Sequence, residues 1–246
     1  MSNALAEENI VSSNPFKEGL KAGIPVAIGY IPIAIAFGLL AKSFFIPEAV
    51  ILLMSLVIFA GASQFIGINL IIAGVAYWEI IITTFILNLR HFLMTASLSQ
   101  RLPKWTSNKE LALLSFGVTD ETFSVSSSQR ERVLQPSFVI GINLIAFLAW
   151  NVGTWAGVFL AMGLPASIQN SMGIALYAMF IGLLVPSLKE SNPIVVIVGI
   201  AIVINAVLYW VIPMEFSTGW MIIITTILTA TIGVWLFPKE EGEDHE

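Results

Sequence analysis

Four long stretches of this 246-residue chain carry no charged residue and no histidine: Ala49 to Trp78, Val133 to Leu188, Ser191 to Met214 and Phe216 to Pro238. A helix needs about 20 predominantly apolar residues to cross a bilayer, and each stretch supplies at least one such length. Only 11% of the residues are charged, against about 25% in a soluble domain. The pattern dictates an all-α polytopic membrane protein. Continuous apolar runs, rather than short alternating strands, argue against an outer-membrane barrel.

Helical segments are expected over about Leu20–Ala41, Pro47–Gly74, Tyr77–Leu98, Phe138–Met162, Ser167–Leu188, Pro193–Ile212 and Ser217–Phe237. Those seven are strongly apolar. An eighth, Glu110–Ser128, is amphipathic, with two carboxylates at its middle. Residues 1–15 form a polar leader, 16–237 a single transmembrane domain and 238–246 an acidic tail. The leader shows no cleavable signal pattern, so the first span itself is expected to direct insertion into an inner or plasma membrane. Pro15-Phe16-Lys17-Glu18 reads as the start of a short interfacial helix. Pro25, Gly29, Pro32 and Gly38 could each open the backbone ladder of the first span or let a neighbour approach closely, and a packing kink is the plainer alternative.

The Pro47–Gly74 segment is long for one crossing, and its centre, Phe59-Ala-Gly-Ala-Ser-Gln-Phe65, is small and polar. It reads as one tilted helix or as two half-helices meeting there. If this segment and the one around Thr119–Glu121 both dip in and return, six crossings remain. Lys17, Lys21, Arg101, Lys104, Lys109, Arg130, Arg132, Lys189 and Lys239 then share the inner side, and Lys42 alone lies outside. The preference for positive charge on the cytoplasmic side favours this over eight crossings and puts the N-terminus in the cytoplasm.

Arg90 falls near the middle of the otherwise apolar run Ile80–Leu98, where a cation costs roughly 2.5–3.5 kcal/mol on insertion scales. Its companions Asn88 and His91 make a polar triplet. Asp120 and Glu121, after Thr119, supply the opposite sign. An unpaired buried charge is far more costly than a paired one, so Arg90 is expected to meet Asp120 or Glu121; the sequence leaves open which. A static ion pair holding two segments in register would satisfy the same residues. His91 suits a proton relay, and equally a neutral core histidine. Ser63 and Gln64 sit where a helix could break, offering N–H groups to a carboxylate; helix packing through small residues is the plainer alternative. Gly153-Thr-Trp-Ala-Gly157 reads mainly as a packing motif. Trp78, Trp105, Trp210 and Trp220 are expected at the membrane interfaces, and Trp150 and Asn151 could line a cavity.

No metalloprotease helix, P-loop, Cys/His cluster or nucleophile elbow occurs, and the chain has no cysteine. No metal, cofactor or enzymatic activity is indicated, and no basic aromatic patch suggests nucleic acid.

Phe59-Ala-Gly-Ala-Ser-Gln-Phe65, Asn88-Leu-Arg-His-Phe-Leu-Met94 and Thr119-Asp-Glu-Thr-Phe123 together resemble the AzlC family, the large subunits of bacterial branched-chain amino acid exporters. The resemblance extends over about Phe16 to Phe237. It implies export of valine, leucine, isoleucine and analogues, with a small AzlD-type membrane subunit as partner and the bilayer as environment. On that reading Arg90 or the Ser63–Gln64 break takes the substrate carboxylate and Asp120 or Glu121 the ammonium. Phe92, Met94 and Phe123 hold the side chain, and protons couple through Asp120, Glu121 or His91. A passive channel, an exporter of another small amphipathic metabolite, and an accessory subunit without its own site are the competing readings.

Overall fold

The computed structural model describes residues 14–163, 165, 181–182, 184–185, 188–189, 191–211 and 217–238. Among them the regular structure is entirely helical: α1 Pro15–Ala22, α2 Ile24–Ser43, α3 Glu48–Val57, α4 Gly61–Ile72, α5 Tyr77–Ser99, α6 Asn108–Phe116, α7 Asp120–Ser127, α8 Pro136–Ala161, α9 Asn192–Val211 and α10 Thr218–Leu236. The helices α2, α5, α8, α9 and α10 are long and apolar enough to cross a membrane. The expected Ser167–Leu188 segment lies largely outside the described residues.

The interfacial helix forms as expected. Asn14 caps α1 by accepting from the Lys17 N–H at 3.2 Å, and Pro15 occupies a first-turn position that needs no N–H. In the first span α2 runs through Pro32 without a break, and Pro25 sits in its first turn; Gly38 instead lets the α8 backbone approach closely at Thr154. Lys42 in the last turn of α2 meets Glu48, first residue of α3, at 2.7 Å, each charge complementing its helix end.

Two other segments do break. Ile58-Phe59-Ala60 separates α3 from α4, and Gly117-Val118-Thr119 separates α6 from α7. At 1.5 Å per residue these four helices are about 12–18 Å long, so none alone spans a hydrocarbon core of about 30 Å.

The chain divides into two compact units, residues 1–64 with 88–172 and residues 65–87 with 173–246. In the first, α8 is the central post, touched by α1, α2, α3, α6 and α7. Lipid is as apolar as leucine, so packing in a membrane rests on close approach rather than on the hydrophobic effect. Glycines provide that approach. A Cβ on Gly153 or Gly157 would strike the Ile31 or Ile35 backbone of α2, and one on Gly141 would strike the backbone of α1. The Gly153–Gly157 motif is therefore a helix-packing seam. Phe37, Leu40, Val139, Ile142 and Val158 fill the space around it and are essentially inaccessible.

In the second unit α9 packs on α10. The buried Glu79 accepts a hydrogen bond from the Trp220 N–H of α10 at 3.0 Å. Trp78 and Trp220 meet edge to face at 5.6 Å.

Candidate functional site

Everything distinctive in the first unit gathers at the two helix breaks. Phe59, in the first break, packs edge-on to Tyr30 of α2 at 6.1 Å and to Phe147 of α8 at 5.4 Å. It also lies 6.5 Å from Phe116, the last residue of α6 before the second break. Phe116 and Phe147 are 5.7 Å apart. Rings in such offset and edge-to-face arrangements contribute beyond the area they bury, so one aromatic cluster holds both interruptions together against α8.

Each break also presents a glycine to α8 with no room for a side chain. A Cβ on Gly61 would stand 2.7 Å from Cη2 of Trp150, and one on Gly117 would stand 2.5 Å from the Asn143 side chain. Asn143 Nδ2 donates to the Leu114 carbonyl at 3.1 Å, a second bond to an oxygen that also accepts from the Gly117 N–H at the end of α6. The ring of Trp150 is buried against Tyr30 at 5.5 Å and Phe37 at 6.3 Å.

The polar residues expected at the site divide into three groups. Arg90 of α5 meets Asp120 of α7, Nη1 to Oδ2 at 3.0 Å, and each side chain is a little under half exposed in the chain alone. The open choice between the two carboxylates is thus resolved: Asp120 makes the ion pair. Thr119 caps α7 reciprocally, its backbone N–H donating to Thr122 Oγ1 at 2.8 Å and its Oγ1 accepting from the Thr122 N–H at 3.3 Å. Asp120 and Glu121 therefore occupy the first turn of a capped helix, where free N–H groups favour negative charge.

Glu121 turns instead to Tyr30, whose hydroxyl donates to Glu121 Oε2 at 2.5 Å and also bonds Thr119 Oγ1 at 2.6 Å. Tyr30 was not anticipated. Its signal was a phenol between Gly29 and Pro32 in an apolar span. Glu79, buried in the first turn of α5, was likewise not anticipated.

Ser63 and Gln64 part company. Ser63 Oγ donates to Asn88 Oδ1 at 2.8 Å, two residues before Arg90. Gln64 is inaccessible and donates to Ser55 Oγ at 3.2 Å. Ser55 lies 2.9 Å from Thr154 Oγ1, whose own proton goes to the Trp150 carbonyl. Gln64 thereby ties α4 to α3 across the break and both to α8. Its side-chain nitrogen is committed to the scaffold, whereas Ser63 faces the charged helix.

A cavity of about 420 Å³ opens between α5 and α6. Its walls are mostly apolar, including Phe92, Leu98, Leu111, Leu114 and Val118, with His91, Thr95, Ser99 and Ser115 as polar points. Met94 and Phe123 lie behind it, packed on the buried cluster of Leu98, Leu114 and Val118. Its lining includes His91, which follows Arg90 in α5, and Val118, two residues before Asp120.

Beyond the α7 C-terminus, Arg101 spreads its guanidinium over four carbonyls, those of Ser126, Ser127, Gln129 and Glu131, at 2.5 to 3.4 Å. The basic loop residue thus secures the end of the helix that presents Asp120 and Glu121. Among the described residues no group of three or more metal-ligating carboxylates and histidines occurs.

The family model for AzlC protein matches residues 25–164, which contain both breaks, the ion pair and the cavity. The inner membrane protein YgaZ of Escherichia coli is 31% identical over 227 residues, covering 89% of this chain and 91% of the relative. An uncharacterised membrane protein of Archaeoglobus fulgidus is 34% identical, covering 74% and 80%. The branched-chain amino acid transport protein AzlC of Bacillus subtilis is 26% identical, covering 58% and 56%. No solved structure matches the chain. The chain is a multi-pass membrane protein that belongs to the AzlC family.

Proposed function

We propose that this chain is the large subunit of a two-component exporter of branched-chain amino acids, driven by protons and completed by a small AzlD-type membrane subunit. The observation that carries the reading is an apolar cavity lined by close sequence neighbours of a pair of opposite charges, His91 after Arg90 and Val118 before Asp120. A branched-chain amino acid is a zwitterion with an aliphatic tail, and it needs those two kinds of surface side by side. At about 420 Å³ the cavity lies at the low end of ligand sites, which suits a small metabolite. The substrate carboxylate takes a share of the Arg90 guanidinium, with Ser63 and Asn88 beside it, and the ammonium is received by Asp120. Opening the ion pair to admit the zwitterion replaces one charge contact with two, so neither Arg90 nor Asp120 is left unpaired. The side chain then enters between Phe92, Leu114 and Val118. The name of the Bacillus subtilis relative agrees with this substrate class.

The proposed transporter domain spans residues 16–237, lies in the inner membrane and has its N-terminus in the cytoplasm. The five described helices of spanning length are consistent with the six-crossing reading. The two segments that structure divides into short helices are those that the positive-inside argument requires to return. Titrating the purified pair of subunits with a panel of amino acids tests the reading. Binding is expected for valine, leucine and isoleucine, and to be lost in Arg90→Ala. Absence of binding across the panel would make the chain an accessory subunit or a transporter of something else.

A further inference from the structure

The two adjacent carboxylates have been given different chemistry. Asp120 faces a guanidinium, a donor without acceptor capacity and a charge that is never lost. Glu121 makes no ion pair among the described residues and faces a hydroxyl chain instead. Around it stand Tyr30 from α2 and, on its own helix, Asp120 with its partner Arg90; His91 of α5 lies next to that pair. The central helix α8 contributes no titratable residue.

Every hydroxyl in the chain can both donate and accept. With Glu121 ionised, Thr119 Oγ1 donates to Tyr30 (2.6 Å) and Tyr30 donates to Glu121 (2.5 Å). With Glu121 protonated, its own O–H donates to Tyr30, Tyr30 donates to Thr119, and Thr119 donates to Thr122 Oγ1, 3.3 Å away. Thr122 keeps its proton on the Gly117 carbonyl at 3.0 Å in both cases. The row of bonds reverses direction and leaves no hydroxyl in it unpaired in either state. Half-satisfied buried polar networks are costly, so a network complete in both states is what a reversibly charged group in a membrane protein requires. The row ends at the Gly117 carbonyl, in the break that precedes the helix presenting Asp120.

We propose that Glu121, held by Tyr30 and Thr119, is the site that takes up and releases the coupling proton, while Asp120 remains ionised against Arg90. This rests on the export reading for its role in transport, but not for its chemistry. One proton from water binds one carboxylate oxygen on one side of the membrane and returns to water on the other; no covalent bond to carbon changes. Tyr30 is a positioning residue that keeps both forms bonded.

The test has two arms. In infrared difference spectra of the purified protein in lipid, lowering the pH should raise a desolvated carboxylic-acid band. That band is expected to vanish in Glu121→Gln, to shift in Tyr30→Phe and to persist in Asp120→Asn. Its survival in Glu121→Gln, or its loss in Asp120→Asn alone, would overturn the assignment whatever the protein transports. In vesicles containing both subunits, Glu121→Gln should retain valine–valine exchange and lose accumulation driven by a pH gradient. Gradient-driven accumulation equal to wild type would overturn the coupling role. Loss of exchange together with accumulation, in a variant that still binds its small subunit, would place Glu121 on the substrate and overturn it too. A wild-type pair that moves no valine would defeat the export reading, with the infrared arm still deciding the proton site.

Discussion

A double-mutant cycle on Arg90 and Asp120 tests the polar centre quantitatively. The charged atoms are 3.0 Å apart, with side chains 47% and 46% exposed in the chain alone. Water-exposed pairs contribute about 0.2–1 kcal/mol, whereas removing one partner of a buried pair costs about 3–5 kcal/mol. A half-covered pair set among apolar helices falls between these limits. Arg90→Ala and Asp120→Ala are each expected to cost about 2 kcal/mol, because each leaves one charge uncompensated. The double variant should cost about 1–2 kcal/mol less than the sum, which is the coupling energy. For a chain of this length about 2 kcal/mol corresponds to a fall of about 4–8 °C in Tm. Thermal unfolding in detergent, followed by tryptophan fluorescence, provides the readout. The same cycle run with Arg90 and Glu121 should give a coupling of no more than about 0.5 kcal/mol, since Glu121 bonds Tyr30 instead. Additive costs for Arg90 and Asp120, or a larger coupling of Arg90 to Glu121, would refute the pairing.

Three further outcomes follow from the scaffold. Glu79→Ala removes the carboxylate that receives the Trp220 N–H and should lower stability by about 1–3 kcal/mol, combining a lost helix cap with a lost charge at a helix N-terminus; Glu79→Gln should recover part of that in the same melt. Gly117→Ala drives a methyl into Asn143 and should cost about 1–3 kcal/mol as overpacking, with hydrogen exchange accelerated across Leu114–Thr122. Glu110 is held below its ordinary value of 4.5 by hydrogen bonds from the Ser107 side chain and backbone N–H. A lowered folded value means that its support for α6 is complete above the ordinary glutamate range and disappears as pH falls through the folded value. Limited proteolysis at the α6 N-terminus should therefore quicken on acidification, and Glu110→Gln should flatten that dependence.

Much of this was legible in the chain because the membrane makes polar residues conspicuous. The breaks fall at the two segments whose centres are small or charged, Phe59–Phe65 and Thr119–Phe123. Arg90 and the Asp120–Glu121 pair stood out for the cost of carrying charge through lipid. What remained hidden depends on partners distant in sequence. Tyr30 is an unremarked phenol until Glu121, 91 positions away, comes to its hydroxyl. Arg101 read as a marker of topology because carbonyls, which every residue has, give no signal of their role as its partners. Gln64 looked like part of the site, yet its amide nitrogen is taken by Ser55. Pro32 looked like an interruption, but α2 accommodates it. Ile-Gly-Ile-Asn-Leu-Ile recurs at 66–71 and 140–145, helical both times, but Gly67 meets open space whereas Gly141 abuts the α1 backbone.

The most direct test of the central claim is valine efflux from cells expressing this chain with its small subunit, measured against a concentration gradient with the proton gradient intact and then abolished. Wild type should export valine uphill only while the proton gradient stands, and Arg90→Ala and Asp120→Asn should each lose that export at equal membrane abundance. Wild-type efflux from both variants would contradict the site. Downhill flux that persists without the gradient, with no uphill component, would make the protein a channel.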